Sequence, residues 1–328
     1  MNIFFTGGTG AIGKNLIEAL IKKGHSISCL VLPQENIENF PIKGVKIIKG
    51  NLLEPITYEN ELEGIDLFFH LAAIVGFTNN RRDEMIRVNV MGTKIILDLI
   101  KKYKVGGLVY FSSIAYFGST KGKIIDESCE PPRKRKFFSF YEETKYLATK
   151  LVKKYMHEIP TIIFHPGIVI GENISHFDGV IKALLTKNLP VMIDDGFLIS
   201  YVYIKDLISA VLYALEKKKF GDAYILSSFN ITFKDFVQNF AIILKRKEPI
   251  YIPKLMVKWF CKLIDLITSL PRFFGLEILP ILSAVSVTGH SKKATKELGW
   301  KPTPTKRIFK NMFNWYKIEL LKEKKKKN

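Results

Sequence analysis

Eight residues near the start of the chain restrict its fold more than any others. Thr6-Gly7-Gly8-Thr9-Gly10-Ala11-Ile12-Gly13 stands between a short apolar run, Asn2–Thr6, and an apolar-periodic stretch, Ala11–Lys23. The run reads as a β-strand and the stretch as an amphipathic helix, so the glycines form a strand-to-helix turn. Gly8, Gly10 and Gly13 fit GxGxxG, while Gly7, Gly10 and Gly13 fit the wider GxxGxxG. In either frame, positions without a side chain let the backbone approach a bound group. Unpaired N–H groups at the helix start, aided by the helix dipole, then favour an anion such as a pyrophosphate. A tight turn that binds nothing would use the same glycines, but the strand–turn–helix setting is the one a dinucleotide requires.

The first half continues in the same rhythm. Ser26–Leu32, Val45–Ile48, Asp66–His70, Gly107–Ser113 and Thr161–Phe164 read as strands, and helices are predicted over about Asp83–Tyr103 and Phe140–Met156. The strands are apolar throughout rather than alternating, the pattern of a parallel sheet covered on both faces. The predicted fold is therefore α/β, a Rossmann-type doubly wound parallel sheet with a smaller, mostly helical C-terminal substrate region. Residues 1–165 would bind the dinucleotide, with Tyr201–Ile204 and Ala223–Leu226, inside 199–226, returning to its sheet. Residues 166–198 and 227–320 would form the substrate region, and 321–328 a solvated basic tail.

From Pro249 to about Val287 the chain is expected to be helical and is unusually apolar. Lys254, Lys258, Lys262, Asp265, Arg272 and Glu277 interrupt it, so no uncharged run approaches the ~20 residues of a membrane span. Lys254, Lys258 and Lys262 recur as a basic stripe. That pattern suits a peripheral helix at an anionic membrane, a lid over a lipophilic substrate, or a core-packed helix with a solvated edge. The net charge of +19 invites a nucleic-acid reading, yet lysines are spread along the chain and no nucleic-acid motif accompanies them. No nucleic-acid partner is expected. Cys29, Cys129 and Cys261 share no metal-ligand spacing, and Met1–Phe5 runs straight into a strand without a secretory signal. A reducing, cytoplasmic location is the expectation.

Chemistry gathers at the end of the strand Gly107–Ser113 and the start of the helix after it. Ser112 and Ser113 close the strand at its carboxyl end, where open α/β sheets place ligands. Tyr141 and Lys145 share one face of the helix at i, i+4 spacing. A lysine ammonium near a tyrosine favours the phenolate, and a serine hydroxyl can hold the substrate oxygen while the tyrosine moves its proton.

These motifs resemble those of the extended short-chain dehydrogenase/reductase superfamily, in particular its NAD-dependent epimerase/dehydratase group. Thr6–Gly13, His70-Leu71-Ala72-Ala73, Asn89-Val90-Met91-Gly92-Thr93, Tyr110–Ser113 with Gly118, and Tyr141–Lys145 stand in that family's order. The similarity continues through His165–Gly171, where the family usually begins with arginine, Tyr201–Asp206, and Lys293–Pro302. It implies NAD or NADP as cofactor and Ser113, Tyr141 and Lys145 as catalytic residues, Lys145 also gripping the nicotinamide ribose. It further implies that Gly7, Gly10, Ala11, Ile12 and Gly13 meet the pyrophosphate, Asn51 and Leu52 the adenine, and that Ala72, Ala73 and Pro166 line the cofactor cleft. Asn51 replaces the family's usual aspartate. Asn89, His70 and Asp206 are expected to be structural. Homodimers are frequent in such a family, although no interface is legible here.

The choice of cofactor and reaction stays open at this level. Val31-Leu32-Pro33-Gln34-Glu35 offers neither the acid that holds ribose hydroxyls nor an arginine for a 2′-phosphate. Between Phe137 and Lys245 there is no arginine to clamp a sugar-nucleotide diphosphate, leaving Arg246 and Arg272. The resemblance thus points first to an oxidoreductase of an apolar small-molecule substrate, in the dihydroflavonol reductase or 3β-hydroxysteroid dehydrogenase branch. A sugar epimerase or dehydratase with retained NAD comes second, and a non-catalytic dinucleotide-binding regulator third.

Overall fold

A computed structural model describes residues 1–35, 37, 40, 43–76, 81–120, 122–132, 137, 139–174, 178–186, 191–194, 196–253, 256 and 287–327. The main sheet has seven strands: β1 (Asn2–Thr6), β2 (Ser26–Val31), β3 (Val45–Lys49), β4 (Leu67–His70), β5 (Leu108–Phe111), β7 (Thr161–Pro166) and β11 (Ala223–Leu226). Their order is β11-β7-β5-β4-β1-β2-β3, and every pairing is parallel. From β1 the chain first builds outward through β2 and β3, then returns to add β4, β5 and β7 on the other side. The reversal opens a crevice above β1 and β4, the ligand position of such sheets.

Continuous apolar strands are what a sheet covered on both faces needs. Phe4 stacks on Phe68 with centroids 5.2 Å apart on one face, while Phe5 stacks on Phe69 at 4.5 Å on the other. Helix α1 (Ala11–Lys22) buries Leu16, Ile17 and Leu20 in the second of these layers. The opposite layer takes Ile96, Leu97 and Ile100 from α3 (Gly92–Lys102), and Ala148 and Val152 from α4 (Phe140–Tyr155).

The long helix expected over Asp83–Tyr103 is interrupted. A short α2 (Arg82–Met85) passes into a π-helical stretch, Ile86–Met91, before α3. Such one-turn widenings often re-aim a side chain at a functional site, and Asn89 lies inside this one.

Of the two segments expected to return to the main sheet, Ala223–Leu226 lies in it as β11, but Tyr201–Ile204 does not. The latter belongs to β10 (Leu198–Tyr203), central in a separate three-stranded sheet with β8 (Ile168–Ile170) and β12 (Phe229–Thr232). Gly167 separates β8 from β7 where a Cβ would lie 2.5 Å from the Ser200 carbonyl oxygen, so the two sheets meet tightly there. The helix expected from Pro249 begins instead with a strand, β13 (Ile250–Pro253), paired with β9 (Val191–Asp194), and β6 (Ile124–Ile125) pairs with β14 (Thr288–Gly289). The lysine stripe at 254–262 and Arg272 lie outside the described residues. The tail expected at 321–328 is helical up to Lys327, in continuation of a helix beginning at Thr305. Lysine is a good helix former and suits the negative end of the helix dipole. Among the described residues, no helix is long and apolar enough to cross a membrane.

Candidate active site

The glycine turn is shaped by two near-contacts. Gly7 adopts φ 72°, and a Cβ there would lie 2.6 Å from the Ala72 nitrogen. A Cβ on Gly13 would lie 2.4 Å from the Gly7 carbonyl oxygen. Gly10 is exposed, and its Cβ would meet only the Gly7 oxygen, at 3.3 Å. Gly7 and Gly13 therefore let the turn close on itself and on the end of β4, and Gly10 leaves the approach above it clear. Helix α1 starts with no side-chain cap and no acid in its first turn. Helix geometry leaves its leading N–H groups without internal acceptors, an arrangement suited to a pyrophosphate. Gly7, Gly10, Ala11, Ile12 and Gly13, the residues expected to meet a pyrophosphate, all lie in this turn and the start of α1.

Asn51 and Leu52 follow β3 on the same side of the crevice. The Asn51 side chain shapes its own loop: Oδ1 accepts from the Leu53 N–H at 3.0 Å, and Nδ2 donates to Glu54 at 2.9 Å. Leu52 is buried beneath it. Ala72 and Ala73 emerge half-buried from β4 across the crevice. Asn89 braces this exit: Oδ1 accepts from the Ile74 N–H at 2.7 Å, and Nδ2 donates to the Ile74 carbonyl at 2.9 Å and to Thr144 at 3.0 Å. His70 is also a brace. Because the Thr93 hydroxyl donates to the Asn89 carbonyl, it accepts from His70 Nε2, leaving Nδ1 to accept from Thr6. Burial first, and the Lys145 charge second, depress His70 to about 3 and keep it neutral.

The proposed catalytic residues converge on the carboxyl end of β5. Ser139 caps α4, accepting from the Glu142 N–H at 3.2 Å, which sets Tyr141 in the first turn and Lys145 one turn on. Lys145 Nζ donates to the Phe111 carbonyl at 2.9 Å and lies 5.8 Å and 5.9 Å from the ring centroids of Tyr110 and Tyr141. Ser113 is the neighbour that acts on the Tyr141 phenol, favouring its ionised form, and its Oγ accepts from the Ala115 N–H at 3.2 Å. Ser112, by contrast, is buried and tied to Thr149 at 2.6 Å, which leaves Ser113 as the serine beside the tyrosine.

The electrostatics differ in one respect from the expectation that lysine lowers the tyrosine. Burial pushes the Tyr141 phenol up to about 12, only partly offset by Ser113. Burial also pulls Lys145 down to about 8. Desolvation governs both groups, and Lys145 Nζ lies against ring faces and a carbonyl. Pro166 ends β7 beside this cluster, fully buried, and His165 before it hydrogen-bonds the Ser113 carbonyl through Nδ1 at 3.3 Å. Thr149 and His165 escaped sequence reading as site residues. Thr149 stands one turn beyond Lys145 on the Tyr141 face, a spacing that could have revealed it.

Residues 3–231 match the profile of the NAD dependent epimerase/dehydratase family. The chain belongs to that family. Among its relatives is the sterol demethylase protein B of Methylococcus capsulatus, 23% identical over 97% of this chain and 98% of that protein. Another is the 4-hydroxy-2-methyl-3-oxo-4-farnesyl-3,4-dihydroquinoline-1-oxide ketoreductase of Stigmatella aurantiaca, 28% identical over 69% of this chain and 68% of that protein. The fold is also that of the dTDP-glucose 4,6-dehydratase of Bacillus anthracis, solved with NAD: TM-score 0.73, 19% identity, covering 97% and 96% of the two chains.

Membership makes this epimerase/dehydratase-family chain an enzyme that uses a nicotinamide dinucleotide. Asp206, expected to be structural, and Ser200 both serve the frame around the site. Asp206 accepts from Ser228 at 2.6 Å and from the Thr303 backbone at 3.0 Å. Ser200 is buried, donating to Asn230 at 2.7 Å and accepting from the Gly289 N–H at 2.9 Å, so its hydroxyl holds strands together. Among the described residues no acid, histidine and cysteine cluster could hold a metal ion.

Proposed function

We propose that this chain is an NAD(P)-dependent oxidoreductase acting at a carbonyl or secondary alcohol of an apolar, lipid-like small molecule, with Ser113, Tyr141 and Lys145 as its catalytic residues. The observation that carries the reading is the meeting of Ser113, Tyr141 and a buried Lys145 at the carboxyl end of β5, with Lys145 Nζ 5.9 Å from the Tyr141 ring centroid. In reduction, the Ser113 hydroxyl donates to the substrate carbonyl oxygen and the Tyr141 hydroxyl delivers its proton there. Lys145 stabilises the phenolate that remains and binds the cofactor ribose. A phenol held near 12 is protonated at neutral pH and so stands ready as the acid of a reduction. The nicotinamide, when bound over Ala72, Ala73 and Pro166, supplies or accepts the hydride.

The apolar substrate class is supported by the absence of arginine between residues 137 and 245, by the structural use of Ser200, and by relatives named for sterol and farnesyl-quinoline chemistry. A sugar-nucleotide epimerase or dehydratase with retained NAD is the second reading, supported by the fold shared with a dehydratase solved with NAD. Nucleotide released from denatured protein separates the two. Stoichiometric NAD would favour the second reading; an exchangeable dinucleotide, with turnover on a panel of apolar ketones, would support the first.

A further inference from the structure

The end of β2 is where a dinucleotide's adenosine ribose is read: an acid holds the 2′-hydroxyl of NAD, and a cation accepts the 2′-phosphate of NADP. Sequence supplies neither at this point, because Leu32 follows the strand. Folding supplies a cation from elsewhere. In the β2–β3 pairing Lys49, the last residue of β3, lies opposite Val31, the last residue of β2. Its ammonium reaches across to the turn beyond β2, 3.3 Å from the Glu35 carbonyl oxygen and 3.5 Å from that of Leu32. That turn is closed by the Glu35 N–H donating to the Leu32 carbonyl at 3.0 Å.

Three features of this ammonium bear on whether it can receive an anion. Its two contacts are long and go to neutral carbonyls, and among the described residues no carboxylate pairs with it. The residue is exposed, so the charge is accessible. Of the surrounding positions, Leu32 and Asn51 are neutral and the nearby Glu54 is engaged by Asn51 Nδ2 at 2.9 Å, which leaves Glu35 as the acid that opposes a phosphate here. Glu35 is the one acid of the turn, and it acts electrostatically on Cys29 beneath the glycine turn.

We propose that Lys49 is the cofactor-specificity residue, its ammonium receiving the 2′-phosphate of NADP(H), so that the phosphorylated dinucleotide is preferred over NAD(H). The assignment rests on the glycine turn binding a dinucleotide and adds which one. It involves no bond making or breaking, only a charge-assisted contact that NAD cannot form.

Equilibrium binding to the purified full chain tests it without turnover. NADP+, NAD+, 2′,5′-ADP and 5′-ADP are titrated by calorimetry at low and high salt. The wild type should bind 2′,5′-ADP about tenfold or more tighter than 5′-ADP, the gap narrowing as salt screens the exposed charge. Lys49→Ala should bring the NADP+ to NAD+ affinity ratio close to one, Lys49→Arg should preserve it, and Lys49→Glu should invert it. Equal binding of the two nucleotides by the wild type would overturn the assignment, showing that Glu35 or the ribose hydroxyls decide the choice. An equal loss for both dinucleotides in Lys49→Ala would do the same, since it would mean the lysine only supports the turn. No binding of either dinucleotide would instead overturn the cofactor reading itself.

Discussion

The two sides of the crevice achieve their purposes in opposite ways. The β1–β2–β3 side works through side chains that are missing: Gly7 and Gly13 lack the Cβ that would strike backbone at 2.6 Å and 2.4 Å, and the helix above them has no cap. The β4–β5–β7 side works through side chains that are present and fixed. Ser112 is tied to Thr149, Asn89 to Ile74 and Thr144, and Lys145 to the Phe111 carbonyl. In the proposed function the first arrangement serves to bind the diphosphate and the second to carry out chemistry at a single point. Binding and turnover should therefore be separable by substitution.

The largest effect is expected on the second side. Tyr141→Phe removes the proton donor, so turnover should fall by roughly 10²-fold or more while dinucleotide affinity stays within about twofold. Near-normal turnover, measured by steady-state kinetics, would reject Tyr141 as the acid. Gly13→Ala makes the opposite test. Its Cβ would press on the Gly7 carbonyl and the Gly8 backbone, which cannot retreat as a flexible side chain could. Dinucleotide affinity should fall about tenfold or more, with about 1–3 kcal/mol lost from stability by overpacking. Denaturant titration with and without cofactor reads both quantities. An unchanged dissociation constant would mean that the turn is not the pyrophosphate cradle.

How far these assignments were legible in sequence follows from what each depends on. The main strands were legible because each is buried on both faces and therefore apolar without a break. The glycine turn and the Tyr141–Lys145 pair were legible because their function requires a fixed local spacing. Other features depend on partners distant in sequence. Ser112 and Ser113 are chemically identical neighbours, and only Thr149, on the facing helix, gives them different roles. Leu198–Tyr203 is as apolar as a main-sheet strand, yet it joins the smaller sheet because Gly167 admits Ser200 at close range. Lys49 reads as an ordinary strand-end lysine until β3 pairs with β2. The π-helical stretch around Asn89 leaves no mark in apolar periodicity, since it displaces the helix by less than one turn.

The paired serines give the next test. Ser112→Ala removes a buried hydrogen bond and leaves Thr149 without that partner, so about 1–2 kcal/mol of stability should be lost with turnover largely retained. Ser113→Ala should lower turnover about tenfold or more, with a stability loss of about 0.5–2 kcal/mol from the cap its Oγ gives the Ala115 N–H. If both variants behave alike, the two hydroxyls form one unit and the assignment of Ser113 alone fails.

The gentlest test is pH, where one lysine should move activity and stability in opposite directions. Burial lowers Lys145 to about 8 in the folded chain, from an ordinary value of 10.5. Between those values the unfolded chain holds the extra proton, so this group's contribution to stability rises with pH across that window. Below about 8 the buried ammonium opposes folding but serves catalysis, so turnover should decline as pH passes upward through the same value. His70 and His165, both depressed to about 3 by burial, act at the acid end. Their stabilising contribution is complete above their unfolded value near 6.5 and is lost as pH falls toward 3, because the unfolded chain takes up protons first. Lys145→Met isolates the alkaline effect. Relative to the wild type, its denaturation midpoint should show a smaller rise, or a steeper fall, between pH 8 and 10.5. A parallel course for the two proteins would mean that the Lys145 ammonium is not desolvated, and that the catalytic side of the crevice is as open to water as the glycine turn.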